Sequence, residues 1–139
     1  MTAQTTNRIQ ESYMLAKANL EALEETKLEI ERKYMTDLGI KNVDGSTPEC
    51  LWRIDDDATF ETANAAVEKM LEDNGLWAEI LEARELLEAA EDRLIKYGLS
   101  LAPAREREIL TSAVKANYTT RLKVLDLALR LDVSTVLAR

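Results

Sequence analysis

The sequence predicts an all-α protein, an antiparallel bundle of about four coiled-coil-like helices with one irregular loop at about residues 39–57. The 139 residues include only four Gly and two Pro, and they are rich in Ala, Leu and Glu, which favour helices. Apolar residues recur at spacings of three and four along most of the chain. The length is that of one domain, so residues 1–139 are predicted to form a single helical domain.

The first predicted helix covers about residues 4–38 and is defined by a heptad-like apolar stripe. Lys27 occupies the one seam position that lacks an apolar residue, so we expect it to extend its charge to solvent, to pair with a Glu across the interface, or to fix the register. Gly39 is the expected C-terminal cap. The stripe consists of Ile9, Tyr13, Ala16, Leu20, Leu23, Ile30 and Tyr34.

The loop at 39–57 is predicted from its turn-forming residues, a "DGS" tripeptide and Pro48. Within it, "CLWRI" (50–54) alternates apolar side chains in the manner of a short extended segment. Cys50 is the single cysteine of the chain, which excludes an internal disulfide, and we expect it to pack as a small apolar residue.

The second and third predicted helices cover about residues 58–74 and 76–97. Their apolar stripes do not share a heptad phase, which predicts a break at Asn74-Gly75; one continuous helix with a local stammer is the alternative. Gly98 is the expected end of the third helix. The stripes are Phe60, Ala63, Val67 and Met70 in the second helix, and Ile80, Ala83, Leu87, Ala90, Leu94 and Tyr97 in the third.

The fourth predicted helix covers about residues 103–131, with Pro103 in its first turn. Its second half, "LKVLDLALRL", is apolar on more than one side, which favours a central position in the bundle. The alternative is that a second chain covers this face, giving a homo-oligomer through the C-terminal helix. In the tail, Asp132 or Ser134 is the expected cap of a last turn.

Composition excludes several functions. The chain has no histidine, so neither a Ser-His or Cys-His nucleophile nor a histidine metal ligand is available. The net charge is −8, but residues 103–139 carry +3 and the rest carries −11, so direct nucleic-acid binding is not expected. No apolar run is long enough to span a membrane, and the N-terminus lacks a signal-peptide pattern, which favours a cytoplasmic protein without membrane association. We expect no cofactor.

The aspartate triplet at 55–57 has two interpretations. Asp56 or Asp57 is well placed to cap the second helix, because a carboxylate there accepts hydrogen bonds from free backbone N–H groups. Alternatively, Asp55 and Asp56 are metal-ligand candidates for Mg²⁺ or Mn²⁺, which would need further oxygen ligands from elsewhere. Capping is the favoured interpretation.

The third helix carries glutamates at a spacing of three, beginning with Glu79 and Glu82. This Glu-x-x-Glu pattern resembles the first half of the Mg²⁺ motif of the all-helical nucleotide pyrophosphohydrolases, and the resemblance implies a metal-dependent hydrolase with these two residues as ligands. The second half of that motif, Glu-x-x-Asp, is absent from the chain, although Glu88 and Glu91 could substitute for it. A solvated acidic face is the favoured interpretation.

Two further residue pairs are candidates for binding. Trp52 and Arg53 lie in the loop beside the aspartates and belong to the residue types that are enriched where proteins bind one another, although packing is the favoured role for Trp52 taken alone. Asn117 and Arg121 interrupt the apolar stripe of the fourth helix, so they are expected either to join a structural polar network or to line a small-ligand pocket.

These observations favour a non-enzymatic protein–protein interaction module, such as a small acidic inhibitor or an accessory protein of a phage or mobile element. Its expected partner is another protein, bound through helix faces or through the loop with Trp52 and Arg53. A nucleotide pyrophosphohydrolase-like enzyme and a binder of small anionic ligands such as nucleotides are the alternatives.

Overall fold

A computed structural model describes residues 3–130, with side chains described for 8–129. In this range the fold is an all-α helical bundle, which confirms the predicted class, with five α-helices instead of about four. The predicted cap at Asp132 or Ser134 lies outside the described residues. The helices are α1 (Ala3–Asp37), α2 (Asp57–Asp73), α3 (Leu76–Ser100), α4 (Ala104–Ala116) and α5 (Tyr118–Arg130), and a 3₁₀ turn spans Leu51–Arg53.

The chain divides into two compact units, each with its own apolar core. Residues 19–84 form what we call the loop unit, and the described residues 3–18 and 85–130 belong to what we call the terminal unit. Helices α1 and α3 contribute residues to both. The single domain expected from chain length stays a prediction.

The core of the terminal unit confirms the apolar stripes expected for this part of the first and third helices. Tyr13 of α1 is buried, and Ile9 and Ala16 pack against the same cluster. Gln10 ties α1 to α5, because its Nε2 donates a hydrogen bond to the carbonyl oxygen of Ala128 at 2.9 Å. The buried members of this core are Tyr13, Ala90, Leu94, Ile95, Tyr97, Leu99, Val114, Leu125 and Ala128.

Helix α3 continues through Gly98, so the prediction that Gly98 ends this helix is wrong. A Cβ atom at Gly98 would lie 3.2 Å from Cβ of Ala128 and 3.3 Å from Cγ1 of Val124. The absence of a side chain therefore lets α5 approach α3 closely. Sequence alone does not distinguish this packing role from a helix cap, because both favour glycine.

The predicted fourth helix is interrupted at Asn117, which gives α4 and α5. Asn117 has an extended backbone, and its Oδ1 accepts hydrogen bonds from the N–H groups of Thr119 and Thr120 at 2.9 and 3.3 Å. The prediction that the C-terminal helix is central is also wrong. Leu122 and Leu127 of α5 are 43% and 66% exposed, so only one face of this helix is buried within the described residues.

The loop unit has a core of α1, α2, the 3₁₀ turn and the start of α3. The predicted break at Asn74-Gly75 is confirmed: Gly75 has a φ of 77°, and Asn74 Oδ1 accepts a hydrogen bond from the Leu76 N–H. Leu71 is buried where the α2 stripe predicted Met70, which is 44% exposed. The buried core residues are Met35, Leu51, Ala63, Val67, Leu71, Leu76 and Ile80.

Lys27 lies half-buried in the seam of the loop unit and pairs within its own helix, not with a glutamate across the interface. Its Nζ is 3.7 Å from the buried carboxylate of Glu31 and 5.9 Å from the ring centroid of Trp77. The guanidinium of Arg84 lies 5.8 Å from the same ring. Cation–π attraction thus compensates Lys27 for partial loss of hydration.

Within residues 3–130, no helix has both the length and the apolar character needed to cross a membrane.

Candidate partner-binding site

The loop between α1 and α2 begins with a sharp reversal of the chain. Gly39 has a φ of 63°, and the N–H of Ile40 donates to the carbonyl oxygen of Met35 at 2.9 Å, which confirms Gly39 as the end of α1. A second reversal follows at Gly45, whose φ is 84° and whose N–H donates to the Asn42 carbonyl oxygen at 2.9 Å. These turns bring residues 42–46 back towards the segment that precedes α2.

The side chain of Asn42 connects the two sides of the loop. Its Nδ2 donates to the carbonyl oxygen of Arg53 at 2.8 Å, and its Oδ1 accepts from the Asp55 N–H at 3.1 Å. Asp55 completes the link, because its Oδ2 accepts from the Val43 N–H at 3.1 Å. This role of Asn42 was not predicted from the sequence. The available signal was an Asn next to a turn, a position where its side chain commonly bonds nearby backbone.

A 3₁₀ turn spans Leu51–Arg53, so the extended conformation predicted for 50–54 is wrong for these three residues, whereas Cys50 and Ile54 on either side have extended backbones. Leu51 points inward and is only 3% exposed, Pro48 is buried, and Cys50 is half-buried. The turn bonds its own backbone: the Arg53 N–H donates to the Cys50 carbonyl at 3.1 Å.

The 3₁₀ turn leaves Trp52 and Arg53 on the surface. Trp52 is 81% exposed, and its ring centroid lies 5.2 Å from that of Phe60, with the rings tilted by 37°. Arg53 is exposed, while its backbone carbonyl accepts the Asn42 hydrogen bond. Of the two roles considered for Trp52, core packing is therefore wrong for this residue, whereas Leu51 beside it is a core residue.

The aspartate triplet divides into three different roles. Asp56 is the cap of α2: its Oδ2 accepts from the Thr59 N–H at 2.9 Å and from the Thr59 hydroxyl at 2.7 Å. These two hydrogen bonds favour the carboxylate and hold the pKa of Asp56 below its ordinary value. Asp55 binds the loop backbone through Val43, and Asp57 is exposed in the first turn of α2.

The acidic candidates do not converge on an ion. Within residues 3–130, no group of three or more Asp, Glu or Cys side chains is arranged to hold a metal. Glu79 and Glu82 are both exposed on α3, as are Glu85 and Glu88 farther along the helix. The pattern that resembled the pyrophosphohydrolase motif therefore lies on an acidic outer face of this helix.

Asn117 and Arg121 both have structural roles, which is one of the two alternatives predicted for them. Asn117 is exposed and caps α5, so it does not lie within an apolar stripe as predicted. Arg121 donates through Nε to Glu91 at 2.9 Å and through Nη2 to Asp92 at 3.0 Å. Hydrogen bonding to Asp92, and then to Glu91, raises the pKa of Arg121 above its ordinary value. This network joins the basic α5 to the acidic α3.

A second surface feature of the loop unit lies between α1 and α2 and was not predicted. Two open concavities, of about 490 and 370 Å³, share Tyr34 and Leu38 as lining residues. Leu38 is 61% exposed. We call the pair the Tyr34–Leu38 groove. The first concavity is also lined by Ile40, Ala58, Thr59, Thr62 and Ala63, and the second by Ile30, Lys33, Asp37 and Met70.

The negative charge of the protein is concentrated in the loop unit. Residues 19–84 contain seventeen acidic and seven basic residues, a net charge of −10, whereas the remaining residues have a net charge of +2. In the sequence, residues 103–139 carry a charge of +3 and the rest of the chain carries −11. Residue 103 is not a boundary between the two compact units, so the charges of the units differ from these values. The exposed Trp52 and the groove therefore both belong to the acidic unit.

No protein-family model, curated protein or solved structure matches this chain.

Proposed function

We propose that this protein is a non-enzymatic interaction module that binds another protein through the loop unit, with Trp52 and Arg53 in the contact surface. The observation that carries the proposal is the exposure of Trp52, at 81%, on a turn whose backbone is held by hydrogen bonds. Trp and Arg are the residue types that most often dominate the energy of protein interfaces.

The contacts of the loop restrict the conformations that are available to Trp52. Leu51 fixes the turn from below, Asn42 links the backbone at Arg53 and Asp55, and Phe60 supports the indole ring. A side chain that is already ordered in the free protein pays less conformational entropy on binding. A large, exposed aromatic group in an ordered loop is thus suited to enter an apolar pocket of a partner.

The charge of the loop unit favours a basic partner surface. A net charge of −10 attracts cationic proteins and repels nucleic acids, which accords with an acidic inhibitor or accessory protein that occupies a basic surface. The alternatives have less support: Glu79 and Glu82 stand on an exposed face, and Arg121 is engaged by Glu91 and Asp92.

The proposal is tested by identifying a partner and then substituting Trp52. The chain is immobilised to capture proteins from extract of its source cells, and the captured partner is purified and titrated by calorimetry. We expect Trp52→Ala to raise Kd at least tenfold, which is about 1.4 kcal/mol. Because Trp52 is mostly exposed, the melting temperature should change little.

The matched control is Tyr118→Ala, which removes an aromatic side chain that is 72% exposed in the terminal unit. We expect this variant to bind like the unaltered protein. A partner whose affinity is the same for Trp52→Ala and for the unaltered chain would contradict the proposal, as would weaker binding that is accompanied by a matching fall in the melting temperature of Trp52→Ala.

A further inference from the structure

The Tyr34–Leu38 groove is an apolar opening on the acidic loop unit. Its walls come from the C-terminal part of α1 and from α2, and Leu38 and Met70 are exposed at 61% and 44%. Tyr34 is only partly buried. Exposed apolar side chains that line a concave surface commonly mark a binding groove.

The groove is connected to the Trp52 surface through the first turns of α2. Ala58 and Thr59 line the groove, and the next residue, Phe60, carries the Trp52 ring at 5.2 Å. A partner that covers Trp52 is therefore close to the groove. The groove gives that partner a second place to bury apolar side chains.

The walls of the groove restrict the shape of what can bind. Both are helices whose backbone groups are already hydrogen-bonded, so they provide no strand edge for an extended peptide. Along α1, the lining from Ile30 to Leu38 spans roughly 12 Å at 1.5 Å per residue. That length matches about two turns of a bound helix, which buries apolar side chains at i, i+3 or i+4, and i+7.

The charge of the loop unit restricts the chemistry of this helix. The lining itself has one cation, Lys33, and one anion, Asp37, so the lining alone selects no sign of charge. The unit as a whole has a net charge of −10, which draws a cationic segment towards the groove. Such steering acts mainly on the association rate and weakens with salt.

We infer that the Tyr34–Leu38 groove binds a basic amphipathic helix of the partner, with the apolar side of that helix packed against Tyr34, Leu38 and Met70. This inference rests on the proposed function, because it describes the partner segment that lies beside Trp52. Beyond the proposed function, it states that this partner segment is helical, that it is basic and that it contacts the groove.

The inference is tested with three labelled peptides of about 18 residues: an amphipathic Lys/Leu helix, its Glu/Leu counterpart, and a scrambled Lys/Leu sequence of equal charge. Fluorescence anisotropy gives Kd, and NMR chemical-shift changes locate the contact. We expect the amphipathic cationic peptide to bind at least tenfold more tightly than either other peptide and to shift the resonances of Tyr34, Leu38 and Met70.

Leu38→Glu is the decisive variant. It adds an anion that would favour any cationic ligand by charge alone, so a fivefold or larger rise in Kd would report the loss of apolar contact. Leu38 is exposed beyond the end of α1, so the fold should tolerate the change. The control is Leu86→Glu, at a 55% exposed position of α3 in the terminal unit.

Several results would overturn the inference: equal binding of the scrambled or Glu/Leu peptide, unchanged affinity in Leu38→Glu, or a dimer in sedimentation that Leu38→Glu converts to a monomer. The last result would mean that a second copy covers the groove. These failures are separate from failure of the proposed function, because the affinity of the native partner for Trp52→Ala is measured independently.

Discussion

Trp52 and Asp56 are only four residues apart, yet Asp56 stabilises the fold whereas Trp52 is exposed to solvent. Asp56 directs its carboxylate at the backbone of α2, whereas Trp52 directs its ring outward, 81% exposed. Between them, Asp55 bonds the other side of the loop. At the scale of the residue, the acidic groups position the loop and the aromatic group is left available for contact.

The cap predicts a dependence of stability on pH. Because the pKa of Asp56 is lowered in the folded protein, its stabilising effect is complete above the ordinary value of 3.8. It is lost as the pH falls through the lower, folded-state pKa. We expect an NMR titration to give Asp56 a pKa below 3.8. We also expect Asp56→Ala to lower the melting temperature at pH 7, and this loss to become smaller as the pH is lowered below 3.8.

The control for this prediction is Asp57→Ala, which removes an exposed carboxylate of the same turn that is not the cap. Its effect at pH 7 should be clearly smaller than that of Asp56→Ala. An Asp56 that titrates at or above 3.8 would contradict the cap as the source of the pKa shift.

Helix boundaries in this protein depend on which side chains are available to satisfy free backbone groups. Asn74 and Asn117 each accept hydrogen bonds from the first N–H groups of the following helix, and at both positions one helix ends and another begins. Gly75 adds a positive φ at the first break, whereas Gly98 lies inside α3 and serves close packing.

The close packing at Gly98 predicts a large effect of a small substitution. Gly98→Val would place methyl groups against Val124 and Ala128, where even a Cβ atom would lie at 3.2–3.3 Å. Overpacking of this kind costs about 1–3 kcal/mol of unfolding free energy. Urea unfolding followed by circular dichroism measures the loss.

The control is Lys96→Val, two residues away on the exposed side of the same helix. It introduces the same side chain without the collision, and because Val is a slightly poorer helix former than Lys, it should cost less than about 1 kcal/mol. Val is a better helix former than Gly, so propensity alone would not destabilise Gly98→Val. A loss in Gly98→Val that is no larger than the loss in Lys96→Val would contradict packing against α5 as the source of the effect.

At the scale of the whole molecule, the two cores can be followed by different spectroscopic signals. Both tryptophans of the chain, Trp52 and Trp77, lie in the loop unit. Tryptophan emission therefore reports the loop unit, whereas the helical circular dichroism signal has contributions from both units.

Leu94→Ala should separate these signals. Leu94 is fully buried in the terminal core, and its truncation costs about 2–5 kcal/mol. We expect the urea midpoint from circular dichroism to fall below the midpoint from tryptophan emission. Met35→Ala, at a fully buried position of the loop core, is the matched variant. In this variant, the urea midpoint from tryptophan emission should fall at least as far as the midpoint from circular dichroism. Coincident transitions in both variants would indicate one cooperative unit.

Much of the architecture follows from local preferences of the residues, which can be inferred directly from the sequence. The apolar stripes of α1 and α3, the break at Asn74-Gly75 and the cap at Asp56 follow from helical periodicity, from the φ freedom of glycine and from the preference for carboxylates at helix starts. The sequence alone therefore determined an all-α fold, its main turns and its acidic character.

Tertiary structure decided the features that depend on which distant groups meet. Gly98 packs against α5, Leu51 is buried while Trp52 is exposed, and Tyr34 and Leu38 line a groove with α2. These outcomes could not be predicted from one sequence, because a glycine, an apolar pair or a helix end can pack against several different elements of a fold. Local propensities act over a few residues, whereas burial is fixed by contacts between residues far apart in the chain.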